Sequence, residues 1–299
     1  MTAAASNVAF AGELRHDEPM SRHTSWRVGG SADLYFEPAD LGDLSRFLRG
    51  LDPETPIFWL GAGSNLLVRD GGIRGVVIHA TVILRSIERI EPYLVRAGAG
   101  LSCTQLARHC LRWGIGPSEF FAGIPGTVGG ALTMNAGAHG SETWERVESV
   151  RTIDRRGEIH QRARAEYTVG YRSVTGPGDE WFVEALFRFD PEVRASRETL
   201  DAMLERRKTT QPLGLPSCGS VFRNPPGDHA ARLIETAGLK GYRIGGAEVS
   251  PKHANFIINT GNATATDIEE LIEHVRQTVN DTHGVELRHE VRIVGELAP

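Results

Sequence analysis

The sequence predicts an α+β protein of two domains, and three observations support this prediction. The length of 299 residues suffices for about two domains of roughly 100–200 residues each. Residues 147–189 are rich in strand patterns, whereas the last third of the chain carries helix patterns. These strand-rich and helix-rich runs follow each other along the chain, as is typical of α+β proteins. Pro191 ends the strand-rich region, so we place the domain boundary after residue 192.

The first part of the chain alternates short strands with two helices. The strand "DLYFEP" precedes "ADLGDLSRFLRG", a predicted helix with Asp40 as its N-cap and Gly50 at its end. The strands "IFWL", "GVVIHA" and "YLVRAG" follow. The second helix, "SCTQLARHCLRWG", has its cap at Ser102. Its Cys103 and Cys110 share one helix face, and we expect both in the core.

The strand-rich region contains the predicted strands "VESVRTID", "EYTVGYRS" and "WFVEALFRF", which the turn signals "RRGE" and "TGPGD" separate. The helix "SRETLDAMLERRK" follows Pro191. In the last third we predict the helix "DHAARLIETAG", with Asp228 as its cap, and the strand "ANFIIN". A long amphipathic helix then begins with a capping box of Thr266 and Glu269, and the last strand is "ELRHEVRIVG".

Composition and charge exclude several classes of protein. Hydrophobic residues make up 40% of the chain and charged residues 24%, which are ordinary values for a soluble globular protein. The net charge of -5 gives no electrostatic reason to expect binding to nucleic acid or to a membrane surface. Residues 1–20 lack the basic leader and apolar core of a signal peptide, and we expect an N-terminal tail there. No stretch approaches the roughly 20 apolar residues of a membrane span.

The cysteines indicate a reducing compartment. Cys103, Cys110 and Cys218 are an odd set without CxxC spacing. This pattern favours reduced thiols in a cytoplasm over a disulfide framework or a zinc site. We therefore predict a cytoplasmic protein without a metal site.

Two glycine-rich loops are candidate ligand-binding segments. In "LGAGSN", Gly61 and Gly63 fit the first two positions of the G-x-G-x-x-G fingerprint, but Leu66 occupies the third and a strand follows, which excludes a Rossmann fold. The second loop, "GIPGTVGGALTMNAGAHG" at 123–140, has few side chains to keep a ligand off the backbone. Successive N–H groups in such runs bind pyrophosphates. Each loop alone is typical of ordinary turns, but both together predict a bound dinucleotide.

The order of the motifs resembles one enzyme family, the UDP-N-acetylenolpyruvoylglucosamine reductases, which are flavoenzymes of bacterial cell-wall precursor synthesis. The resemblance covers nearly the whole chain through "HTSWRVGGSADLYFEP", "LGAGSNLLVRDGG", "FFAGIPGTVGGALTMNAGAHG", "GYRS", "QPLGLPSCGSVFRNP", "KHANFIIN" and "HEVR". So many ordered matches are highly specific. The short spacing between Asn224 and Lys252 is similar to the compact subclass of the family, which lacks an inserted tyrosine-bearing loop.

The resemblance implies a fold and its cofactors. We expect an FAD-binding fold of the vanillyl-alcohol-oxidase type at 21–192, in subdomains of about 21–80 and 81–192, and a smaller α/β substrate-binding domain at 193–299. The FAD is expected to be bound non-covalently, with NADPH as the hydride donor. Two sets of residues are expected to contact FAD, namely Gly61, Ala62, Gly63, Ser64 and Asn65 in the first loop, and Gly123, Ile124, Pro125, Gly126, Gly129 and Gly130 in the second.

The resemblance also implies a reaction and three catalytic residues. In the family, the enolpyruvyl double bond of UDP-N-acetylglucosamine enolpyruvate is reduced to give UDP-N-acetylmuramate. Ser220 in "CGSVFRNP" matches the proton donor. Arg172 in "GYRS" and Glu290 in "HEVR", on the last predicted strand, match the residues that stabilise the enolate intermediate. The permanent charge of arginine suits the substrate carboxylate, whereas Glu290 would help if it were protonated or bridged to a cation.

Further residues are candidates for binding the substrate. Tyr171 is expected to shape the pocket beside Arg172. The diphosphate of the substrate is expected to meet Lys208, Arg223, Asn224, Lys252 and Asn255. For Lys208, complementation of a helix C-terminus is an equal alternative. The chain departs from the family pattern at Arg223, where many members have lysine, and at Val174, where a second serine is expected.

Cys218 is the residue that most suggests another class of enzyme. "SCGSVF" is similar to the surroundings of the catalytic cysteine in papain-like proteases, but the second cysteine of that motif is absent and the location late in the chain differs. No G-x-S-x-G motif supports a serine hydrolase. We therefore interpret Cys218 as a neighbour packed against a loop, and Ser220 as the residue that acts.

Two alternative functions stay open. One is another flavin oxidoreductase of the same fold, such as an oxidase that uses oxygen, and the other is a flavin-binding or nucleotide-binding regulatory module without catalysis. The presence of Arg172, Ser220 and Glu290 together disfavours the regulatory module. For the reductase we expect a monomer that binds a small nucleotide-sugar substrate, with no nucleic-acid or membrane partner.

Overall fold

The computed structural model describes residues 10–298, and these residues pack into two units that are each discontinuous in sequence. The first unit comprises residues 10–15, Tyr35–Ala62 and Gly75–Glu205. The second unit comprises His16–Leu34, Gly63–Arg74 and residues 206–298. The predicted domains are continuous stretches instead, and their division into an FAD-binding and a substrate-binding domain stays a prediction.

The described residues contain short strands and α-helices. The strands, in chain order, are β1 Glu13–Pro19, β2 Ser31–Glu37, β3 Ile57–Trp59, β4 Leu66–Val68, β5 Ile73–Ile78, β6 Ile87–Glu91, β7 Leu94–Gly98, β8 Gly137–Ala138, β9 Ser141–Glu142, β10 Val147–Asp154, β11 Ile159–Ala163, β12 Thr168–Gly170, β13 Ser173–Thr175, β14 Glu180–Arg188, β15 Arg243–Ile244, β16 Ala247–Val249, β17 Ile257–Asn259 and β18 Arg292–Val294. The helices are α1 Leu41–Gly50, α2 Cys103–Trp113, α3 Val128–Met134, α4 Arg197–Thr210, α5 Ala230–Thr236 and α6 Ala265–His283.

The larger sheet of the first unit has five antiparallel strands in the order β11-β10-β14-β7-β6. Along β14, Ala185 and Phe187 are buried while their neighbours are more exposed, as expected for a strand with one face in a core. Helices α2 and α3 contribute to the same hydrophobic cluster. Cys103 and Cys110 lie in that cluster, which confirms their predicted place in the core.

A smaller sheet has the order β1-β2-β5-β3, in which β3 and β5 pair in parallel. Helix α1 begins where predicted, because the carboxylate of its N-cap Asp40 accepts the N–H of Asp43 at 2.7 Å. Asp43 is itself fully buried, and its carboxylate accepts the N–H groups of Ala11 and Gly12 at 2.7 and 2.8 Å. Helix α1 thereby fixes the backbone of residues 11–12.

The core of the second unit is built around α6. Its predicted apolar stripe is buried and consists of Ile268, Leu271, Ile272, Val275 and Val279. Trp26 belongs to the same cluster, and its indole N–H donates to the carbonyl of Ile257 in β17 at 2.8 Å. Strands β15, β16 and β17 form a small antiparallel sheet, while β4 pairs in parallel with β18.

Residues 13–19 form β1, so the tail predicted for residues 1–20 is wrong for this part of the chain; residues 1–9 lie outside the described residues. Because "ELRHDEP" lacks apolar alternation, its strand could not be recognised from the sequence. Its place in the sheet stabilises the segment, together with the ion pair of Arg15 and Glu37 at 2.9 Å.

The predicted strand "EYTVGYRS" is a short 3₁₀ turn followed by a hairpin. Strands β12 and β13 pair so that Gly170 faces Ser173, which makes Tyr171 and Arg172 the two residues of the hairpin loop. Arg172 adopts a φ of 51°, in the left-handed region that arginine rarely occupies. The turn was missed because hairpin loops of this length are usually marked by Asn-Gly or Asp-Gly.

Helix α5 does not begin at the predicted cap, Asp228. Its first residue is Ala230, whose N–H donates to the side-chain oxygen of Asn224 at 3.1 Å. Asp228 instead accepts a hydrogen bond from Arg232, one turn further along the helix, at 2.7 Å. A cap from six residues upstream has no short sequence signature, so it could not be predicted.

Helix α6 begins two residues earlier than predicted. Thr264 and Asp267 form the capping box, with both of its hydrogen bonds at 3.0 Å. The predicted box of Thr266 and Glu269 is wrong, because Thr266 donates its N–H to the carboxylate of Asp70 at 2.9 Å. Asp70 and Thr266 lie 196 residues apart in the sequence, so a local sequence pattern could not predict their contact.

Candidate active site

The first glycine-rich loop starts at the end of β3. The N–H of Leu60 donates to the carbonyl of Ile78 at 2.9 Å, which ties the beginning of the loop to β5. A β-carbon at Gly61 would lie 3.2 Å from the hydroxyl oxygen of Thr127, in the second glycine-rich loop. The structure therefore brings the two predicted loops together where Gly61 faces the side chain of Thr127. Ala62, the next residue, is exposed.

The second loop leads into α3 and uses part of its backbone for that helix. Thr127 is the N-cap of α3, and its hydroxyl accepts the N–H of Gly130 at 3.3 Å. The N–H of Gly129 donates to the carbonyl of Ala99 at 2.8 Å. The predicted run of N–H groups that could bind an anion therefore does not include Gly129 and Gly130, because α3 begins there.

The residues ahead of α3 divide into a packed and an exposed part. A β-carbon at Gly123 would lie 2.6 Å from the β-carbon of Ala138, so glycine is needed there for packing against β8. The Ile124 side chain is buried in the core of the first unit. Pro125 is exposed and Gly126 is half-buried with a φ of 106°. A ligand of this loop would meet Pro125 and Gly126 first.

The other end of the first loop belongs to the second unit. Gly63 has a φ of 61°, and its carbonyl accepts the N–H of Ser25 at 3.0 Å. A β-carbon at Gly63 would lie 2.0 Å from the carbonyl oxygen of His23. Both the left-handed conformation and this close approach require glycine. The next residues, Ser64 and Asn65, are half-buried.

We expect Gly63→Ala to lower the free energy of unfolding by about 2–4 kcal/mol, because backbone strain adds to the clash with His23. Gly214→Ala is the matched control, since Gly214 has a φ of 86° but nothing within 4 Å of a β-carbon. The control should lose about 1–2 kcal/mol from strain alone. Urea unfolding of both FAD-loaded variants measures the difference. Equal losses would show that the contact with His23 has no role.

Cys218 packs against the first loop, as interpreted from the sequence. Its side chain is 2% exposed, and its sulfur lies 3.6 Å from the carbonyl oxygen of Gly63 and 3.4 Å from that of Leu66. Burial raises the pKa of the Cys218 thiol to about 12. The thiol therefore stays protonated at neutral pH, which removes the basis for a nucleophile at this position.

The same reasoning predicts that the folded protein does not react with thiol reagents. Burial raises the pKa of Cys103 and Cys110 to about 12 as well. At about pH 8 we expect a chromogenic disulfide reagent to label no cysteine until the protein is unfolded, because only the thiolate reacts. Cys218→Ala should keep its activity within about tenfold of the natural protein, since the thiol acts only by packing. Rapid labelling that disappears in Cys218→Ala would revive the thiol as a catalytic group.

Ser220 and Glu290 lie on neighbouring segments of the second unit. The N–H of Glu290 donates to the carbonyl of Val221 at 2.8 Å, and Phe222 forms an antiparallel bridge with His289. Ser220 and Glu290 are both half-buried. The structure therefore brings together two of the three predicted catalytic residues, although 70 positions separate them in the sequence.

Asn65 connects Glu290 to the first glycine-rich loop. Its side-chain amide donates to the carbonyl of Glu290 at 2.9 Å, and its own carbonyl accepts the N–H of Arg292 at 3.1 Å. These two bonds continue the parallel pairing of β4 with β18. The backbone of the predicted acid is thus fixed from both sides, by Val221 and by Asn65.

Arg172 lies in the first unit, in the loop of the β12–β13 hairpin. Its guanidinium donates to the carbonyls of Asn135 at 3.3 Å and Gly137 at 3.2 Å. The same group lies over the ring of Tyr171, 5.1 Å from the ring centre, in a cation–π geometry. Tyr171 is itself 48% exposed. At the position of family departure, Val174 packs partly buried against the core of the first unit.

The predicted diphosphate-binding residues make contacts of their own. The ammonium group of Lys252 donates to the carbonyl of Lys208 at 2.6 Å and so binds a backbone oxygen of α4. Asn224 caps α5. Asn255 is 4% exposed, and its amide both accepts the N–H of Phe222 at 2.9 Å and donates to the carbonyl of Phe222 at 2.8 Å. The two bonds of Asn255 to Phe222 hold the segment after Ser220 in place.

Arg223 differs from these residues. Among the described residues, the buried Nε of Arg223 has no hydrogen-bond partner. Its backbone N–H is fixed by the carbonyl of Arg288 at 2.9 Å. A buried donor without a partner costs free energy unless a ligand completes it. Arg223 is therefore the one of the five predicted residues whose geometry most favours an anionic ligand.

One group of potential metal ligands occurs within residues 10–298, and it consists of Asp154, Glu158 and His160. The carboxylate of Asp154 accepts the N–H groups of Arg156 and Glu158 at 2.9 Å each. The guanidinium of Arg156 lies 3.4 Å from Asp154 and 3.7 Å from Glu158. The positive charge of Arg156 therefore lies beside both carboxylates. The hydrogen bonds of Asp154 stabilise the turn between β10 and β11.

Sequence reasoning missed two residues of the site, Thr127 and Asn135. Thr127 had a recognisable signal, since a threonine ahead of a short helix is a common N-cap. Asn135 is the left-handed C-cap of α3, with a φ of 46°, in the sequence "MNAGA". Asparagine followed by small residues is a known helix stop and could have been recognised. The contact of Asn135 with Arg172 could not have been recognised from the sequence.

Two protein-family models match separate parts of this chain. A family model described as "UDP-N-acetylenolpyruvoylglucosamine reductase, C-terminal domain" matches residues 211–294, and one described as "FAD binding domain" matches residues 32–162. The second match contains both glycine-rich loops and ends within β11. Together with the mixed strands and helices, these matches confirm the predicted fold class and its FAD cofactor.

Similar proteins cover nearly the whole chain. The UDP-N-acetylenolpyruvoylglucosamine reductases of Alkalilimnicola ehrlichii and Methylococcus capsulatus are both 58% identical to this chain, over 95% of its length and over 96% and 93% of theirs. A crystal structure of UDP-N-acetylenolpyruvylglucosamine reductase from Thermus caldophilus has a TM-score of 0.77 and 30% identity, and the match covers 95% of this chain and 99% of that one. Within residues 10–298, no helix combines the length and the apolar character needed to cross a bilayer.

Proposed function

The chain belongs to the UDP-N-acetylenolpyruvoylglucosamine reductase family and is an FAD-dependent oxidoreductase, and from this premise we propose that it reduces UDP-N-acetylglucosamine enolpyruvate to UDP-N-acetylmuramate with NADPH, in peptidoglycan precursor synthesis. One observation carries the proposal furthest. The N–H of Glu290 donates a hydrogen bond to the carbonyl of Val221 at 2.8 Å. This bond joins the segment of Ser220, which matches the family's proton donor, to the segment of Glu290, which matches its stabilising acid.

The two glycine-rich loops suit the cofactor. Gly61 has no side chain at the junction with Thr127, where a β-carbon would lie 3.2 Å from the hydroxyl, so the two loops that would hold the cofactor can approach each other closely. Residues Gly61–Asn65 and Gly123–Gly130 would hold FAD, and the exposed Pro125 and Gly130 are the members of the second loop most open to it. When bound, FAD supplies the two-electron chemistry that no side chain of the chain can provide.

The reaction sets the tasks of the side chains. Reduction adds a hydride to the distal carbon of the enolpyruvyl group and a proton to the adjacent carbon, while NADPH is oxidised to NADP⁺. After the hydride is added, negative charge spreads into the substrate carboxylate. A positive group near that carboxylate lowers the barrier, because it binds the developing charge better than the starting material. Arg172 is our candidate for this group.

Ser220 is our candidate for the proton donor. A donor must lie within hydrogen-bond reach of the carbon that it protonates and must be replenished from water or from a neighbouring acid. Ser220 is half-buried, and its neighbour Val221 accepts the N–H of Glu290, so an acid that could resupply the proton lies on the adjoining segment. Glu290, on the adjoining segment, would either return the proton to Ser220 or donate a hydrogen bond to the enolate in its protonated form.

The substrate diphosphate would bind in the second unit. Arg223 would complete its buried Nε with a phosphate oxygen. Lys208, Lys252 and Asn224 would lie around this group, although Lys252 would first have to leave the carbonyl of Lys208. Asn255 would act by holding Phe222, two residues from Ser220, instead of touching the substrate. The assignment of the substrate to the last third of the chain, the cytoplasmic location and the monomeric state are part of this proposal.

Anaerobic oxidation of NADPH tests the proposal. With purified FAD-loaded protein, we expect turnover only when UDP-N-acetylglucosamine enolpyruvate is added, and we expect UDP-N-acetylmuramate as the product. NADPH consumption that needs oxygen and ignores the enolpyruvyl nucleotide would identify an oxidase of the same fold instead. FAD that NADPH does not reduce would point to the binding module.

A further inference from the structure

The backbone of Arg172 is held in a conformation that costs free energy. Its φ of 51° lies in the left-handed region, which a residue with a long side chain rarely adopts because it is strained. The turn would be relaxed by glycine or asparagine, yet arginine stands there. Strain of this kind persists only where the surrounding structure fixes the residue. Contacts that fix Arg172 should therefore exist in the first unit.

Asn135 provides several of these contacts at once. Its backbone carbonyl accepts a hydrogen bond from the guanidinium of Arg172 at 3.3 Å. Its side-chain amide donates a hydrogen bond to the carbonyl of Gly170 at 3.1 Å. Gly170 is the last residue of β12, next to the hairpin loop. Asn135 therefore binds the side chain of Arg172 and the strand that leads into it.

The position of Asn135 is fixed in turn. It is 2% exposed, its side-chain oxygen accepts the N–H of Trp144 at 3.1 Å, and its amide also donates to Glu142 at 2.6 Å. As the left-handed C-cap of α3, it stands at the end of the helix that begins in the second glycine-rich loop. Helix α3 thus connects Thr127 at one end with the Arg172 hairpin at the other.

We propose that Asn135 is a positioning residue for Arg172, which it aims at the carboxylate of the substrate. This inference rests on the proposed function, in which Arg172 binds that carboxylate. The carbonyls of Asn135 and Gly137 accept hydrogen bonds from the guanidinium and so fix its direction. A fixed arginine also loses less conformational entropy when the ligand binds.

Asn135→Gly is the variant that isolates the side chain. Glycine adopts a positive φ without strain, so the C-cap of α3 and the carbonyl at position 135 are retained, while the bonds to Gly170 and Trp144 are lost. Thr133→Ala is the matched control, because it removes an exposed side chain of the same helix whose hydroxyl bonds to Gly129 within α3. Asn135→Asp is the second variant, which keeps the acceptor for Trp144 and loses the donor to Gly170.

Ligand binding to the oxidised, FAD-loaded protein measures the effect by calorimetry, without turnover. Two ligands are compared: UDP-N-acetylglucosamine enolpyruvate, and UDP-N-acetylglucosamine, which lacks the carboxylate. We expect Arg172→Ala to weaken binding of the first by about 10–100-fold, the value of a charge-assisted hydrogen bond, and Asn135→Gly to weaken it by about tenfold. Affinity for UDP-N-acetylglucosamine should change less than about twofold in every variant, including Thr133→Ala.

The double variant distinguishes positioning from a general structural role. In an Arg172→Ala background, Asn135→Gly should cost less than about twofold more, because the group that it positions is gone. An undiminished cost in the double variant, or equal weakening of both ligands, would overturn the inference. If Arg172→Ala weakens binding of the carboxylate ligand and neither Asn135 variant does, the inference alone fails. If Arg172→Ala has no effect on that ligand, the proposed function of Arg172 fails with it.

Discussion

Replacing Ser220 with alanine is expected to slow reduction of the enolpyruvyl substrate by roughly 10²–10⁴-fold, the usual contribution of a general acid. Reduction of the bound FAD by NADPH should proceed at nearly the natural rate, because that step needs no proton from Ser220. Anaerobic stopped-flow absorbance separates the two steps. The backbone should be preserved, since Val221 and Phe222 are held by Asn255 through main-chain atoms that the substitution leaves intact.

Ser217→Ala is a suitable control for this experiment. Ser217 lies three residues earlier in the same loop and pairs with Ile258 through a backbone bridge. We expect the control to retain both rates. If Ser220→Ala slows both steps equally, the substitution has disturbed the cofactor site as a whole, and the assignment of Ser220 as proton donor fails.

Glu290 should show the second large effect. We expect Glu290→Ala to slow substrate reduction by roughly 10²–10³-fold, as the loss of one preorganised hydrogen-bond donor does. If the protonated acid is the active form, Glu290→Gln should recover part of the rate, because its amide donates a hydrogen bond where alanine cannot. The two backbone anchors, from Val221 and Asn65, are unaffected by either substitution. Full activity of Glu290→Ala in substrate reduction would contradict the proposed role of this side chain.

Elements that depend on local signals were predictable from the sequence. Asp40 caps α1 as predicted, because the cap and the helix it satisfies lie within four residues. The buried stripe of α6 follows from its helical period alone. The predicted packing of Cys218 against a loop is confirmed. It was predictable because a lone cysteine among glycines and prolines behaves as a small apolar residue.

Elements that depend on distant partners were not predictable. Strand β1 is defined by its sheet and by the pair of Arg15 with Glu37, and its own sequence carries no period. The start of α6 was misplaced because Asp70 engages Thr266 from far away in the chain. Asn255 looked like a ligand-binding amide, yet both of its polar atoms serve Phe222. For such residues, the fold decides which polar atoms remain for function.

The pairing of β4 with β18 has a consequence for how the protein is made. Asn65 and Glu290 are bonded across 225 residues of sequence. At a synthesis rate of roughly 5–20 residues per second, Asn65 therefore emerges about 10–45 s before its partner. Contacts of such separation form late in folding, because a long loop must first be closed. The nascent chain can fold its first sheet while it is still being made, but the bonds of Asn65 to Glu290 and Arg292 must wait until the last strand has been added.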